Sequence, residues 1–364
     1  FLLIFMLIFI YLYYKYNIPE QYFLGLLIVL IISDYIRVSS EIINPKYHIP
    51  NKLIVQEKDY LNKYLSPDDV VNYFKEDNSK FRILDKSNNY NKNRWAAFNL
   101  ETIDGYHPAK INLYDKLLKR VNVKGGGVYH TGLLQLLNVK YIIHRSKGSI
   151  PNFHIVNNIS KIVDKKNISN QQIGDLVKNN TLTFKMHFFN TNDVVGSDVY
   201  IYKNNNLLNR IFFVKSFDYI NNIDEVLDKI INKNFNPDDV SYIVKDDLTT
   251  QQINIINQIK YDDKSKVELV DWESDKITFK VEATSSQIIL FSEIFHPGWI
   301  IKDENIEIFR INGLFRGIVI PKGSNEFIME FKPIDIVIGK WISIVSYLFI
   351  FIGYSYTFYR RRNV

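Results

Sequence analysis

NEFIMEFKPIDIVIGKWISIVSYLFIFIGYSYTFYRRR, residues 325–362, changes its periodicity at Pro333. Before the proline, Phe327, Met329 and Phe331 fall on one face of a period-two pattern, with Ile328 as an irregularity. That spacing predicts a strand. After it, residues 341–359 carry no charge, and a membrane-spanning helix takes about 20 apolar residues. Arg360, Arg361 and Arg362 close the run as a positive-inside signal and place the C-terminus in the cytoplasm. The stretch therefore predicts a β-module that feeds directly into a membrane span.

Upstream, the period-two pattern extends back to about residue 264. In KITFKVEA, Ile277, Phe279 and Val281 alternate with polar neighbours. QIILFSEIF is a mostly apolar run, as in a buried strand. IEIFRI and FRGIVI flank Asn312-Gly313, a strong hairpin signal. Residues 264–333 are expected to form an antiparallel β-sandwich, followed by a span and basic tail over 334–364. Within it, EIFHPGWII (293–301) interrupts a strand with Pro-Gly. The structural reading is a corner at the sandwich edge, with Trp299 plugging the core. The functional alternative has Trp299 stacking on a sugar and His296 bonding a hydroxyl or phosphate.

The other end of the chain is also apolar. Residues 1–14 are uncharged, and the run begins at Phe1 without a preceding basic segment, which predicts a first span cut short and continuing upstream. A second span is expected from Pro19 to the region of Asp34 and Arg37, so residues 1–38 form two transmembrane helices. Asp34 is an ionisable residue near the end of a span, a candidate for a functional role or for pairing with Arg37 and headgroups. This topology puts residues 40–335 outside the cytoplasm. Residues 39–263 alternate strand-like and helical stretches, including VKYIIH (139–144), LNRIFFV (208–214) and an amphipathic Ile223–Ile231, as an α/β or α+β domain does.

Composition narrows the chemistry. The 364 residues include no cysteine, which excludes disulfides and thiolate metal sites, and the net charge is a modest +6. The basic residues are scattered, which disfavours a nucleic-acid partner. The histidines form no metal-ligand spacing. Gly125-Gly126-Gly127 lacks the Lys-Ser/Thr of a phosphate loop and reads as a bend. Asp104-Gly105-Tyr106-His107-Pro108 gathers a carboxylate, a phenol and an imidazole between a strand and a helix, where ligand loops lie. Its plain alternative is a turn that caps the next helix. Arg310, Arg316 and Lys322 surround the hairpin, either as a solvated face or against lipid phosphates or an anionic polymer.

The segments INLYDKLL, LLQLLNVKYIIH, LNRIFFV, FSEIFHPGWIIK and INGLFRGIVIPKGSNEFIMEFKP occur here in one order and lead into the final span. In that order they resemble the C-terminal half of the YfhO family of bacterial membrane proteins, with IFHPGW in place of YYPGW and LNR in place of LPR. The resemblance implies a multi-pass protein of the bacterial cytoplasmic membrane, of the GT-C glycosyltransferase type. It implies a polyprenyl-phosphate sugar as donor and an envelope polymer as acceptor, a teichoic acid in Gram-positive members. It also implies a catalytic acidic residue in a first outer loop that this sequence does not contain. Two functions follow as expectations: a membrane glycosyltransferase, or a non-catalytic envelope module that binds or scaffolds polysaccharide.

Overall fold

The computed structural model describes residues 10–16, 19–43, 62–87, 92–105, 110–158, 183–189, 194–302 and 306–362. The chain divides into two compact units, residues 1–74, 89–91 and 185–198 in the first and the remainder in the second. In the first unit, helix α1 (Glu20–Ile43) contains an apolar stretch, Gln21–Ser39, long enough to cross a membrane. Residues 10–16 are helical; the rest of the expected first span and residues 44–61 lie outside the described residues. Pro67-Asp68-Asp69 reads as a helix start, and α2 (Asp69–Lys75) begins there, with Asp68 Oδ1 accepting from Val71 N at 3.0 Å. That bond satisfies one of the free amides of the first turn.

In the second unit, strands β1 (Arg82–Lys86), β2 (Glu101–Thr102) and β3 (Val139–His144) pair in parallel, in the order β2-β1-β3. A 3₁₀ helix, Lys92–Phe98, connects β1 to β2. Helices α3 (Asn112–Val123) and α4 (Thr131–Leu136) make the crossover from β2 to β3. Between those helices Gly126 and Gly127 adopt φ +59° and +76°, and Gly127 N donates to Val121 O at 3.0 Å. The triple glycine thus ends a helix, a bend that favours residues without a Cβ. β4 (Phe153–Val156) and the second half of β6 (Val194–Asn204) extend the sheet antiparallel, in the order β3-β6-β4. Residues 185–198, which hold most of β5 (Phe184–Phe189) and the first half of β6, belong to the first unit, and β5 pairs with β6.

After β7 (Ile211–Phe213), a βαβ unit follows: β8 (Phe217–Ile220), α5 (Ile223–Ile230) and β9 (Ser241–Val244), with the strands parallel. Helix α6 (Thr250–Ile256) starts on a capping box between Thr249 and Gln252.

The remaining strands are β10 (Lys266–Trp272), β11 (Lys276–Ala283), β12 (Gln287–Ile294), β13 (Trp299–Ile301), β14 (Ile308–Ile311), β15 (Phe315–Ile320) and β16 (Gly323–Phe331). They form two antiparallel sheets, β10-β11-β16-β13 and β14-β15-β12-β7. The second sheet takes β7 from outside residues 264–333, because Ile211 and Phe213 supply apolar partners to Phe291 and Ile289. Its inner face, with Ile289, Phe291 and Ile318, shares a core with Phe279, Phe327 and Met329 of the first sheet. Its outer face, with Ile288, Leu290, Ile311 and Phe315, packs into a core that also holds Leu117, Leu134, Val226 and Leu227. Burial on both faces explains the continuous apolar run of β12. In the other sheet, β11 alternates buried and exposed from Phe279 to Ala283, as in a sheet with one solvated face, with Thr278 also buried.

The Asn312-Gly313 hairpin is present but its tip is buried. Asn312 N donates to Tyr242 O and Tyr242 N to Asn312 Oδ1, both at 2.7 Å, while Gly313 abuts Val226 and Leu227 of α5. The turn therefore docks the βαβ unit onto the sandwich. From β16, Lys332 and Pro333 lead into α7 (Ile334–Arg362), whose apolar stretch Ile334–Tyr356 is also long enough to cross a membrane.

Candidate functional site

The His296–Trp299 motif is the place where the chain changes sheets. β12 belongs to one sheet and β13 to the other, four residues on. His296 Nδ1 accepts from Gly298 N at 3.0 Å and Trp299 N donates to His296 O at 3.1 Å, which closes the turn. Lys332 N donates to Gly298 O at 2.7 Å, tying the turn to the residues that open α7. A Cβ on Gly298 would stand 2.8 Å from Pro333 Cβ, so the glycine is needed for close approach. His296 is exposed, with its ring 5.2 Å from that of Phe331.

Trp299 is half-buried, at the margin of the core shared by the sheets. The Arg316 guanidinium stacks over its ring at 3.8 Å from the centroid. Arg316 is only 4% exposed, so it belongs neither to a solvated face nor to a lipid-facing one. Its Nε donates to Ile294 O at 3.0 Å. Burial pulls its pKa down to about 10, with Glu293 opposing. Arg310, by contrast, pairs with Asp247 at 3.0 Å.

Beside Arg316 lies a buried ionic knot. The β12–β15 register shifts between Phe291 and Ile294, a bulge that re-aims Ser292 and Glu293. Glu293 Oε1 accepts from Arg82 Nη2 at 2.6 Å and from Arg210 Nε at 2.7 Å. Arg210 also donates to Glu101, and Arg82 Nη1 donates to Ser292 O at 2.8 Å and Leu137 O at 3.1 Å. Burial alone would raise the Glu293 carboxyl, but Arg82, Arg210 and Arg316 overcome it and hold the group below its ordinary value. The knot joins β1 and β2 of the parallel sheet to β12 of the sandwich. Sequence reading missed it; a lone glutamate inside the apolar QIILFSEIF was the available signal, because a buried charge needs partners.

Asp104 stands at the carboxyl end of β2, on the edge of the parallel sheet where ligands of α/β proteins bind. It is half-buried. Its backbone N donates to Thr102 Oγ1 at 3.2 Å, and Tyr129 OH reaches its Oδ1 at 3.5 Å. Tyr114 OH donates to Ile103 O at 2.6 Å, and Lys86 Nζ lies 4.8 Å from the Tyr129 ring centre. Burial raises the pKa of both phenols, and Asp104 adds to the rise at Tyr129, so both stay protonated. The edge thus carries a half-buried carboxylate, a protonated phenol and an ammonium, chemistry that suits a polyhydroxylated ligand. Tyr106 and His107 lie outside the described residues.

On the adjacent strand, Asp85 is buried and accepts from Ser87 and, at 3.0 Å, from Trp95 Nε1. That carboxylate is consumed by the fold. Asp34 is exposed on α1, within the apolar stretch of that helix. Among the described residues no three His, Asp or Glu side chains gather to hold a metal ion. Comparison with known protein families, curated proteins and solved structures finds no match to this chain.

Proposed function

We propose that this chain supplies the envelope-facing domain, and the span that follows it, of a bacterial membrane glycosyltransferase of the GT-C type, resembling the YfhO family. Its donor is a polyprenyl-phosphate sugar and its acceptor an envelope polymer. The observation that carries the reading is the meeting in space of the segments on which the resemblance rests. Arg210 of LNRIFFV, Glu293 of FSEIFHPGW and Arg316 of GLFRGIVI converge around one ionic knot. EFKP fastens to the same HPGW corner through Lys332 N and Gly298 O. Motifs far apart in sequence that build one junction are more than a chance order of apolar words.

In this reading the chain's own residues bind and orient. The parallel-sheet edge at Asp104, Tyr129 and Lys86 hydrogen-bonds sugar hydroxyls or a phosphate. The sandwich and its corner hold that edge above the membrane surface. The acid or base for transfer comes from an outer loop elsewhere in the enzyme. Membranes carrying the full-length protein, supplied with radiolabelled polyprenyl-phosphate sugar, should transfer label to envelope polymer. Polymer binding without transfer would favour the non-catalytic module instead.

A further inference from the structure

We infer that the His296–Trp299 corner and the edge strand β13 are seated in the headgroup layer of the bilayer that α7 enters, an inference that rests on α7 being a span. Only Lys332 and Pro333 separate β16 from α7. The corner is fastened at that junction, through Lys332 N to Gly298 O at 2.7 Å and through the contact of Gly298 with Pro333. Wherever the start of α7 sits, the corner sits beside it.

The depth of α7 follows from its surface. Ile334, Ile336, Val337 and Ile338 are 75%, 63%, 49% and 53% exposed. Placing residue 341 at the hydrocarbon edge would leave those four side chains in the polar layer. Placing Ile334 there covers them. The 23 residues Ile334–Tyr356 then span about 34 Å at 1.5 Å per residue, close to a core of about 30 Å once the helix tilts. Lys340 reaches back to the interface along its aliphatic stem. In this setting Pro333 and the corner enter the headgroup layer, which is roughly 5–8 Å thick on each side.

The surface at that level has the matching composition. Ile300 is 43% exposed on β13, and His296 and Pro297 are exposed at the tip. Lys302 and Lys332 are exposed, and both pair with Glu330. Apolar and aromatic groups beside basic ones are what an interface retains.

The sequence contains no cysteine, so single spin labels can be placed without background. Label the full chain in lipid nanodiscs at His296→Cys, Ile300→Cys, Leu348→Cys and Ser324→Cys, the last at the far end of β16. Compare the relaxation caused by lipid-soluble oxygen with that caused by a water-soluble nickel complex. Leu348→Cys should report hydrocarbon and Ser324→Cys water. His296→Cys and Ile300→Cys should lie between, with at least a threefold lower nickel response than Ser324→Cys. A labelled variant that does not melt like the parent is replaced by Lys302→Cys on the same edge. If Leu348→Cys reports hydrocarbon but the corner labels match Ser324→Cys, the seating is wrong while the span stands. If Leu348→Cys reports water, the span itself fails and the seating with it.

Discussion

The corner at 293–299 and the loop edge at 102–105 are both polar interruptions in apolar surroundings, yet the fold treats them differently. At the corner nearly every polar group has been given an internal partner. Glu293 is held by two arginines, Arg316 is roofed by Trp299, and the Gly298 carbonyl is taken by Lys332. At the edge, the Asp104 carboxylate has the Tyr129 hydroxyl at 3.5 Å, near the limit of a hydrogen bond, and lies half in solvent. Polar groups saturated by the fold stabilise it. A half-exposed carboxylate at the end of a parallel strand stands where ligands of α/β proteins bind.

Breaking the knot should produce the largest effect. Glu293→Gln removes the more buried of the two carboxylates that Arg82 and Arg210 share and leaves only Glu101. Removing one partner of a buried pair costs about 3–5 kcal/mol, and with Glu101 retained about 3 kcal/mol is expected, to be read from urea denaturation of the full chain in detergent. The wild-type knot also sets an acid limb. The folded Glu293 pKa is depressed, so its contribution is complete above the ordinary value near 4.5 and is lost as pH falls below it. The Gln variant should lack this part of the acid-induced loss.

Gly298→Ala comes next. Its Cβ would press on Pro333 at 2.8 Å, and overpacking of this kind costs about 1–3 kcal/mol. Trp299→Ala tests whether the ring is structural. A fully buried tryptophan would cost about 3–5 kcal/mol, but Trp299 is half-buried, so about 2 kcal/mol is expected. A stability change near zero with lost sugar binding would reassign Trp299 from roof to ligand platform and weaken the contrast between corner and edge.

The sandwich was legible because local periodicity carries it. KITFKVEA alternates since β11 has one solvated face, and QIILFSEIF does not since β12 is covered on both. Pro-Gly in HPGW marked the sheet change through backbone chemistry alone. The knot and the buried hairpin tip were not legible, because their partners are remote in sequence. Arg82 meets Glu293 across 211 positions, and Asn312 meets Tyr242 across 70. Arg316 was misread as surface for the same reason: nothing near it in sequence announces the indole that covers it. The Asp104 edge was half legible. The strand–loop–helix order pointed to it, while Tyr129 and Lys86 came from elements that only the parallel pairing brings near.

Asp104→Asn should have the smallest effect on the fold and the most direct bearing on the account. Asn keeps the volume and an acceptor oxygen but removes the charge. A half-exposed loop carboxylate should change stability by less than about 1 kcal/mol on isosteric replacement. The measurement is transfer of labelled sugar by full-length protein in membranes, with melting followed on the same preparations. The account predicts at least a tenfold loss of transfer, about 1.4 kcal/mol in the barrier, with an unchanged melt. Unchanged transfer with an unchanged melt would contradict it, and so would a loss of transfer that only accompanies a collapsed melt.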